Sequence, residues 1–229
     1  MKIGQIQKTS LIEYPGKISA IIFTLGCNFA CPYCHNPELV DPTRFVHPLD
    51  EDEVITFLKK RAGQLDAVVI TGGEPTIHAD LIKFMKIIKE MGYLIKLDTN
   101  GTNPDMLHRA IEGGIVDYIA MDIKAPLERY DALTRTAVNT EVIKSSIDLI
   151  MNARLPYEFR TTLIRSLLSP EDILNIGRMI KGAGTYVLQH FVPSKHVDKD
   201  FIHESSFTQE EVTSLKRQLD MLVKTCIIR

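Results

Sequence analysis

Cys27, Cys31 and Cys34 fall within eight positions, in the segment Gly26-Cys27-Asn28-Phe29-Ala30-Cys31-Pro32-Tyr33-Cys34-His35-Asn36. Soft thiolates gathered in one loop select zinc or an iron–sulfur cluster over hard cations. A structural zinc needs a closed set of four ligands. His35 adjoins Cys34 and has poor geometry for the fourth position. The remaining cysteine, Cys226, sits in an apolar run that reads as tail packing. An iron–sulfur cluster ordinarily takes four cysteines as well. Three thiolates with an open fourth position therefore imply a [4Fe–4S] cluster in which one iron keeps an exchangeable ligand. Spacing and context weigh towards that reading, with a zinc site as the alternative.

Other polar residues stand where apolar runs end. Val69-Ile70-Thr71 leads into Gly72-Gly73-Glu74-Pro75. Two glycines allow a backbone to approach a ligand closely, and Glu74 sets a carboxylate beside it. Taken alone, the segment is a tight turn into a helix. Leu97-Asp98-Thr99-Asn100-Gly101 ends another run, with Asn-Gly suited to a turn. In Ala120-Met121-Asp122-Ile123-Lys124, strand alternation turns Asp122 and Lys124 to the same side, and Phe159-Arg160-Thr161 adds another cation. Charges inside apolar strands line a site or pair with one another. An internal Asp122–Arg160 ion pair is the plainer alternative.

The elements that must hold these residues follow from hydrophobic periodicity. Runs near 19–25, 67–71, 94–98, 118–123, 158–163 and 186–191 read as strands. Helical patterns near 51–63, 79–91, 104–112, 140–153 and 170–182 separate them. Leu81, Phe84, Met85, Ile88 and Met91 form the stripe of a helix lying on a sheet. Ser169-Pro170-Glu171-Asp172 supplies an N-cap, a proline at the first helical position and early acids. Strict βα alternation predicts an α/β fold with a parallel sheet. The candidate loops then fall at the strands' C-terminal edge, where such folds build their sites. Periodicity alone leaves open whether the sheet is flat or curled into an incomplete barrel. Tyr14-Pro15-Gly16 is a turn able to close a short N-terminal hairpin. After the last strand, a polar stretch leads to a helix near 208–224, begun by Thr208 and Glu211 as a capping box. Residues 1–229 read as one domain, with a core about 19–191 and a C-terminal extension 192–229.

Lys plus Arg number 27 against 29 Asp plus Glu, a net charge of −2. That balance gives no broad basic footprint for nucleic acid or an anionic membrane surface. No run approaches the roughly 20 apolar residues of a membrane span, and the start of the chain lacks a signal-peptide pattern. Clustered rather than dispersed cysteines point to a reducing cytoplasm.

At this point the sequence resembles a known family. C-x3-C-x2-C with Tyr33 before the last cysteine looks like the signature of the radical S-adenosylmethionine (SAM) superfamily, and Gly72-Gly73-Glu74-Pro75 resembles its second motif. The resemblance implies an incomplete parallel (βα)6 barrel. It implies SAM chelating the open iron through its amino nitrogen and carboxylate oxygen. The reduced cluster would pass one electron to the sulfonium, giving methionine and a 5′-deoxyadenosyl radical that removes a hydrogen atom. The segments around Asp98, Asp122, Lys124 and Arg160 are similar to the glycyl-radical-enzyme activases. That subgroup implies Asp98 and Asp122 flanking the SAM carboxylate through a bound monovalent cation. Lys124 and Arg160 would contact the methionyl or ribose end, Tyr33 the adenine, and the Gly72-Gly73-Glu74 backbone the amino group. Gln7–Gly16 and Cys31–Leu39 look most like activating proteins of anaerobic ribonucleoside-triphosphate reductase. The implied partners are such a glycyl radical enzyme and a flavodoxin- or ferredoxin-type electron donor. Gln189-His190-Phe191 departs from the formate-lyase activases, so no SAM contact transfers to His190.

Three functions compete. An activase would abstract hydrogen from a backbone glycine of its partner. It needs an open cleft lined by the loops after Cys34, Glu74, Asn100 and Lys124, with 192–206 on the docking surface. A small-molecule enzyme, such as a deazapurine-forming synthase, would share every motif but close its pocket. A metal-stabilised binding module would leave the Gly-Gly-Glu and Asp-x-Lys segments unexplained.

Overall fold

The computed structural model describes residues 1–193, 197 and 199–229. Its backbone is one eight-stranded sheet in sequential order: β1 (Ile3–Ser10), β2 (Ser19–Thr24), β3 (Ala67–Gly72), β4 (Leu94–Thr99), β5 (Tyr118–Asp122), β6 (Tyr157–Leu163), β7 (Thr185–His190) and β8 (Thr225–Ile228). β1 pairs antiparallel with β2, the expected hairpin. From β2 to β8 every neighbour is parallel. The crossovers carry α1 (Glu51–Arg61), α2 (Leu81–Glu90), α3 (Pro104–Glu112), α4 (Tyr130–Thr134), α5 (Thr140–Asn152), α6 (Pro170–Met179) and α7 (Gln209–Leu219).

Strand alternation sorts the side chains. On the outer face Ile22, Ile70, Ile95, Leu97, Ile119 and Phe159 pack in one core with helix residues such as Phe84, Met85 and Ile88. On the inner face of β2 and β3, Ile21, Ala67 and Val69 gather around Tyr14. Residues from β1 (Gln7) round to β7 (His190) line a single cavity, so the sheet is curled. β1 and β8 end the strand order without pairing to each other, so the barrel is incomplete, as the resemblance implies.

Local signals hold. Ser169 caps α6 in a capping box with Asp172, behind Pro170, and Thr208 caps α7 with Glu211. The tail differs from its sequence reading. Cys226 is buried, but as part of β8, paired parallel with β7 at Tyr186. A four-residue apolar strand is too short to show a period, which is why it read as packing. Within 192–206, Ser194, Lys195, His196 and Asp198 lie outside the described residues. Among the described residues no helix is long and apolar enough to cross a membrane.

Candidate functional site

The cysteine loop leaves β2 and is pinned by backbone hydrogen bonds. Gly26 N–H donates to Leu39 at 2.7 Å, and Ala30 N–H donates to Thr134, at the end of α4, at 2.9 Å. Phe29 anchors it from below, edge-on to Tyr130 with ring centroids 6.4 Å apart. Cys27, Cys31 and Cys34 all reach a cavity of about 430 Å³ at the C-terminal mouth of the barrel, within the usual ~300–1,000 Å³ of small-molecule sites. Burial pushes the Cys27 thiol up to about 12 and raises Cys31 and Cys34. The Lys124 ammonium acts against that rise on all three.

These residues fit a cluster. Three free thiols line one cavity, and soft thiolates of this kind suit an iron–sulfur cluster. Asn100 closes over Cys27: its Nδ2 lies 4.0 Å from the Cys27 Sγ and donates to Asn28 at 2.9 Å.

The Gly-Gly-Glu segment lines the same cavity and also closes against the cysteine loop. A Cβ on Gly73 would stand 1.9 Å from the Gly26 carbonyl oxygen, and one on Gly72 (φ +112°) 2.4 Å from Thr24 N. The close approach is to the chain's own cysteine loop. Gly73 N–H donates to Thr24 at 2.9 Å and Glu74 N–H to Gly26 at 2.8 Å, sealing the two loops together. The Glu74 side chain, 1% exposed, turns inward. It accepts from Thr76 N at 3.0 Å, Thr99 Oγ1 at 2.8 Å and Asn100 N at 2.6 Å. Its carboxylate clamps loops rather than standing free for a ligand.

Deeper in the cavity, Asp122 and Arg160 face each other across β5 and β6. Arg160 Nε donates to Asp122 at 2.7 Å and its guanidinium reaches Asp98 at 3.1 Å. Lys124 Nζ donates to the other Asp122 oxygen at 3.0 Å. Lys96, buried, donates to Asp98 at 2.6 Å. Burial opposes ionisation of both aspartates, but Arg160 with Lys96 or Lys124 outweighs it and holds each below the usual carboxylate range. Burial likewise opposes charge on Lys124 and Arg160, and the aspartates raise both nonetheless. The ion pairs that stood as the plainer alternative are thus present, and they line the cavity as well.

A monovalent cation between Asp98 and Asp122 receives no support. Lys96, Lys124 and Arg160 already neutralise these carboxylates, with one positive charge in excess. Lys96 escaped the sequence reading although its signal was there: it stands two before Asp98 in an apolar strand, as Asp122 stands two before Lys124. Tyr33 lines the cavity and also packs, buried, among Ile164, Phe191, Val197 and Phe201. His190, left aside in the sequence, lines the cavity too, with Nδ1 3.0 Å from Ser206 Oγ.

Comparison with known proteins agrees with this geometry. The Radical SAM superfamily model matches residues 21–180. A Methanocaldococcus jannaschii protein, provisionally designated a glycyl-radical enzyme activating enzyme, is 33% identical over 233 residues, 99% of this chain and 95% of that protein. The 7-carboxy-7-deazaguanine synthase of Methanothermobacter thermautotrophicus is 31% identical over 137 residues, covering 59% of this chain and 53% of its own. Streptococcus suis SuiB bound to S-adenosylmethionine shares the fold with a TM-score of 0.68 at 12% identity, over 91% of this chain and 49% of that one. By its family match and its near full-length archaeal relative, the chain belongs to the radical SAM superfamily, which implies a [4Fe–4S] cluster and S-adenosylmethionine.

Proposed function

We propose that residues 1–229 act as one unit that activates a glycyl radical enzyme, with anaerobic ribonucleoside-triphosphate reductase as the partner. The observation that carries this reading is the 33% identity to the M. jannaschii protein across 99% of this chain. In this reading Cys27, Cys31 and Cys34 hold the cluster. When bound, the cluster and SAM supply a 5′-deoxyadenosyl radical that takes hydrogen from a partner glycine. The chain's own residues do the rest. Gly72, Gly73 and Glu74 fix the cysteine loop against the mouth of β3. Asp98, Asp122, Lys124 and Arg160, with buried Lys96 behind Asp98, form a preset charged floor whose one excess positive charge suits a carboxylate-bearing ligand. Tyr33 borders the place for the adenine. The unclosed barrel leaves room for a glycine-bearing loop, and a flavodoxin- or ferredoxin-type protein supplies the electron.

The test is direct. Reconstituted protein, SAM, a reductant and the reductase, mixed without oxygen, should give a glycyl radical doublet in electron paramagnetic resonance. Omitting the reductase should leave only slow SAM cleavage. The likeness to 7-carboxy-7-deazaguanine synthase over 59% of the chain supports a second reading. Turnover of a small purine-like substrate, with no radical on any glycyl radical enzyme, would favour it.

A further inference from the structure

Cys27 meets two N–H groups, and they come from different parts of the chain. Phe29 N–H donates to its Sγ at 3.4 Å from within the cysteine loop. Tyr33 and the Asn36 backbone hydrogen-bond Cys31 and Cys34, also from within that loop. The second group on Cys27 is the side-chain amide of Asn100, which arrives from the end of β4 with Nδ2 4.0 Å from Sγ. At that reach, the orientation of the amide decides whether it shows hydrogen or oxygen to the sulfur. Its neighbours fix that orientation. Thr102 N–H, which can only donate, meets the Asn100 Oδ1 at 3.1 Å, and Thr102 Oγ1 donates to the same oxygen at 2.7 Å. A flipped amide would set its NH2 against that backbone N–H. The NH2 therefore faces Cys27, and one of its hydrogens goes to Asn28 Oδ1 at 2.9 Å. Asn28 Nδ2 closes the ring by donating to Thr102 Oγ1 at 2.8 Å. Glu74 accepts from the Asn100 backbone N–H at 2.6 Å, and Asn100 is 6% exposed. The ring satisfies every polar atom of this buried side chain except one N–H, and that one is left for the thiol.

We propose that Asn100 is a positioning residue that acts through Cys27: it holds an N–H against the thiolate and so raises the reduction potential of the cluster bound there. The inference rests on the reading above that Cys27, Cys31 and Cys34 hold a [4Fe–4S] cluster. Hydrogen bonds to the sulfurs are among the protein's levers on such potentials. Reduction adds one electron from the external donor, and no bond or proton is exchanged. Part of the added negative charge falls on the sulfurs, where an N–H dipole favours it. The burial that raises the Cys27 thiol also strengthens this dipole, because it lowers the local dielectric. Asn28 and Thr102 aim the amide, and Glu74 fixes the backbone that carries it. The loops after β2, β3 and β4 thus set one electronic property together.

A redox titration of the reconstituted protein, followed by electron paramagnetic resonance without SAM, reads the effect directly. Asn100→Leu is close in size, keeps the backbone bond to Glu74 and removes the N–H. Its cluster should be about tenfold harder to reduce, a fall of about 59 mV for one electron. Asn100→Asp keeps the oxygen that Thr102 bonds and sets a carboxylate against the sulfur, so its potential should fall further. A role confined to loop packing would lower the melting temperature and leave the potential in place. Wild-type or raised potentials in both variants, at full iron content, would overturn the proposal. If neither variant assembles enough cluster to titrate, the wild type carries the test. Grown on asparagine labelled with ¹⁵N in the side-chain amide, it should show a nitrogen coupling in pulsed electron paramagnetic resonance of the reduced cluster. No such coupling would overturn the proposal equally. Iron analysis keeps the two readings apart. Wild-type protein that holds far fewer than about four irons, or a Cys27→Ala variant that keeps them all, would remove the three-cysteine cluster and this inference with it. A full cluster whose potential ignores Asn100 would remove the inference alone.

Discussion

The inner surface of the barrel has two walls of opposite character. On β2 and β3, Ile21, Ala67 and Val69 pack around Tyr14 with no charge among them. On β4 to β6, Lys96, Asp98, Asp122 and Arg160 point into the same interior and are linked by ion pairs, while Glu158 beside them pairs with Arg229. Both walls obey the same strand alternation. Burying a large apolar side chain contributes about 1.5–3 kcal/mol. A buried ion pair is often no better for stability than the apolar residues that could replace it. The charged wall is therefore poorly explained as a stabilising device, and well explained as a surface built to meet a charged ligand.

The contrast fails altogether if the mouth above both walls is not a metal centre. Cys27→Ala, Cys31→Ala and Cys34→Ala should each abolish SAM cleavage under dithionite, while Cys226→Ala, buried beside β7, keeps wild-type iron content. Loss of iron in Cys226→Ala alone would reassign the ligands. Next in size is Arg160→Ala. It strips one partner from each of two aspartates that keep a lysine apiece, so a loss of about 3 kcal/mol in denaturant unfolding is expected, the lower end for a broken buried pair. SAM affinity should fall about ten- to a hundredfold, since a charge-assisted hydrogen bond contributes ~1.5–3 kcal/mol. An Arg160→Ala protein of wild-type stability and affinity would make the charged wall idle.

Acid should separate the walls further. The Asp98 and Asp122 carboxyls lie lower in the folded chain than in the unfolded one. Their stabilisation is therefore complete above the ordinary carboxylate pKa of about 4 and is lost as pH falls below it. Asp122→Asn should be less stable than wild type at neutral pH and flatter in its acid limb, measured by urea unfolding from pH 6 down to about 2. Equal acid slopes would show the pair to be uncoupled from folding. The smallest effect belongs to the apolar wall: Ile21→Val, at the edge of the cavity, should cost about 0.5–1.5 kcal/mol and change SAM affinity by calorimetry far less than Arg160→Ala does.

How much of this was written in the sequence varies by element. The strands of the parallel sheet, the N-terminal hairpin and both capping boxes follow from period and cap chemistry, which are local. The cysteine loop was legible because spacing alone brings its thiols together. Lys96 was hidden in an apolar strand, and only the register against Asp98 and Arg160 makes it part of the wall. Gly72 and Gly73 line the cavity, but a sequence cannot say which backbone packs against them, and here it is Thr24 and Gly26. β8 and the Arg229 that follows it, paired through two bonds of 2.9 and 2.8 Å with buried Glu158, are long-range facts with no local signature.

Glu74 joins Thr76 to Thr99 and Asn100, and its backbone joins both to Gly26. Three loops from β2, β3 and β4 are thereby immobilised during folding, so the ordering entropy, roughly 1–2 kcal/mol per residue, is already met before any cofactor arrives. Heat signatures of SAM binding should then lack the large unfavourable entropy of a site that orders on contact. Seen this way, the buried carboxylate works as a thermodynamic latch: it moves the cost of assembling the site from every catalytic cycle to a single event in the life of the chain.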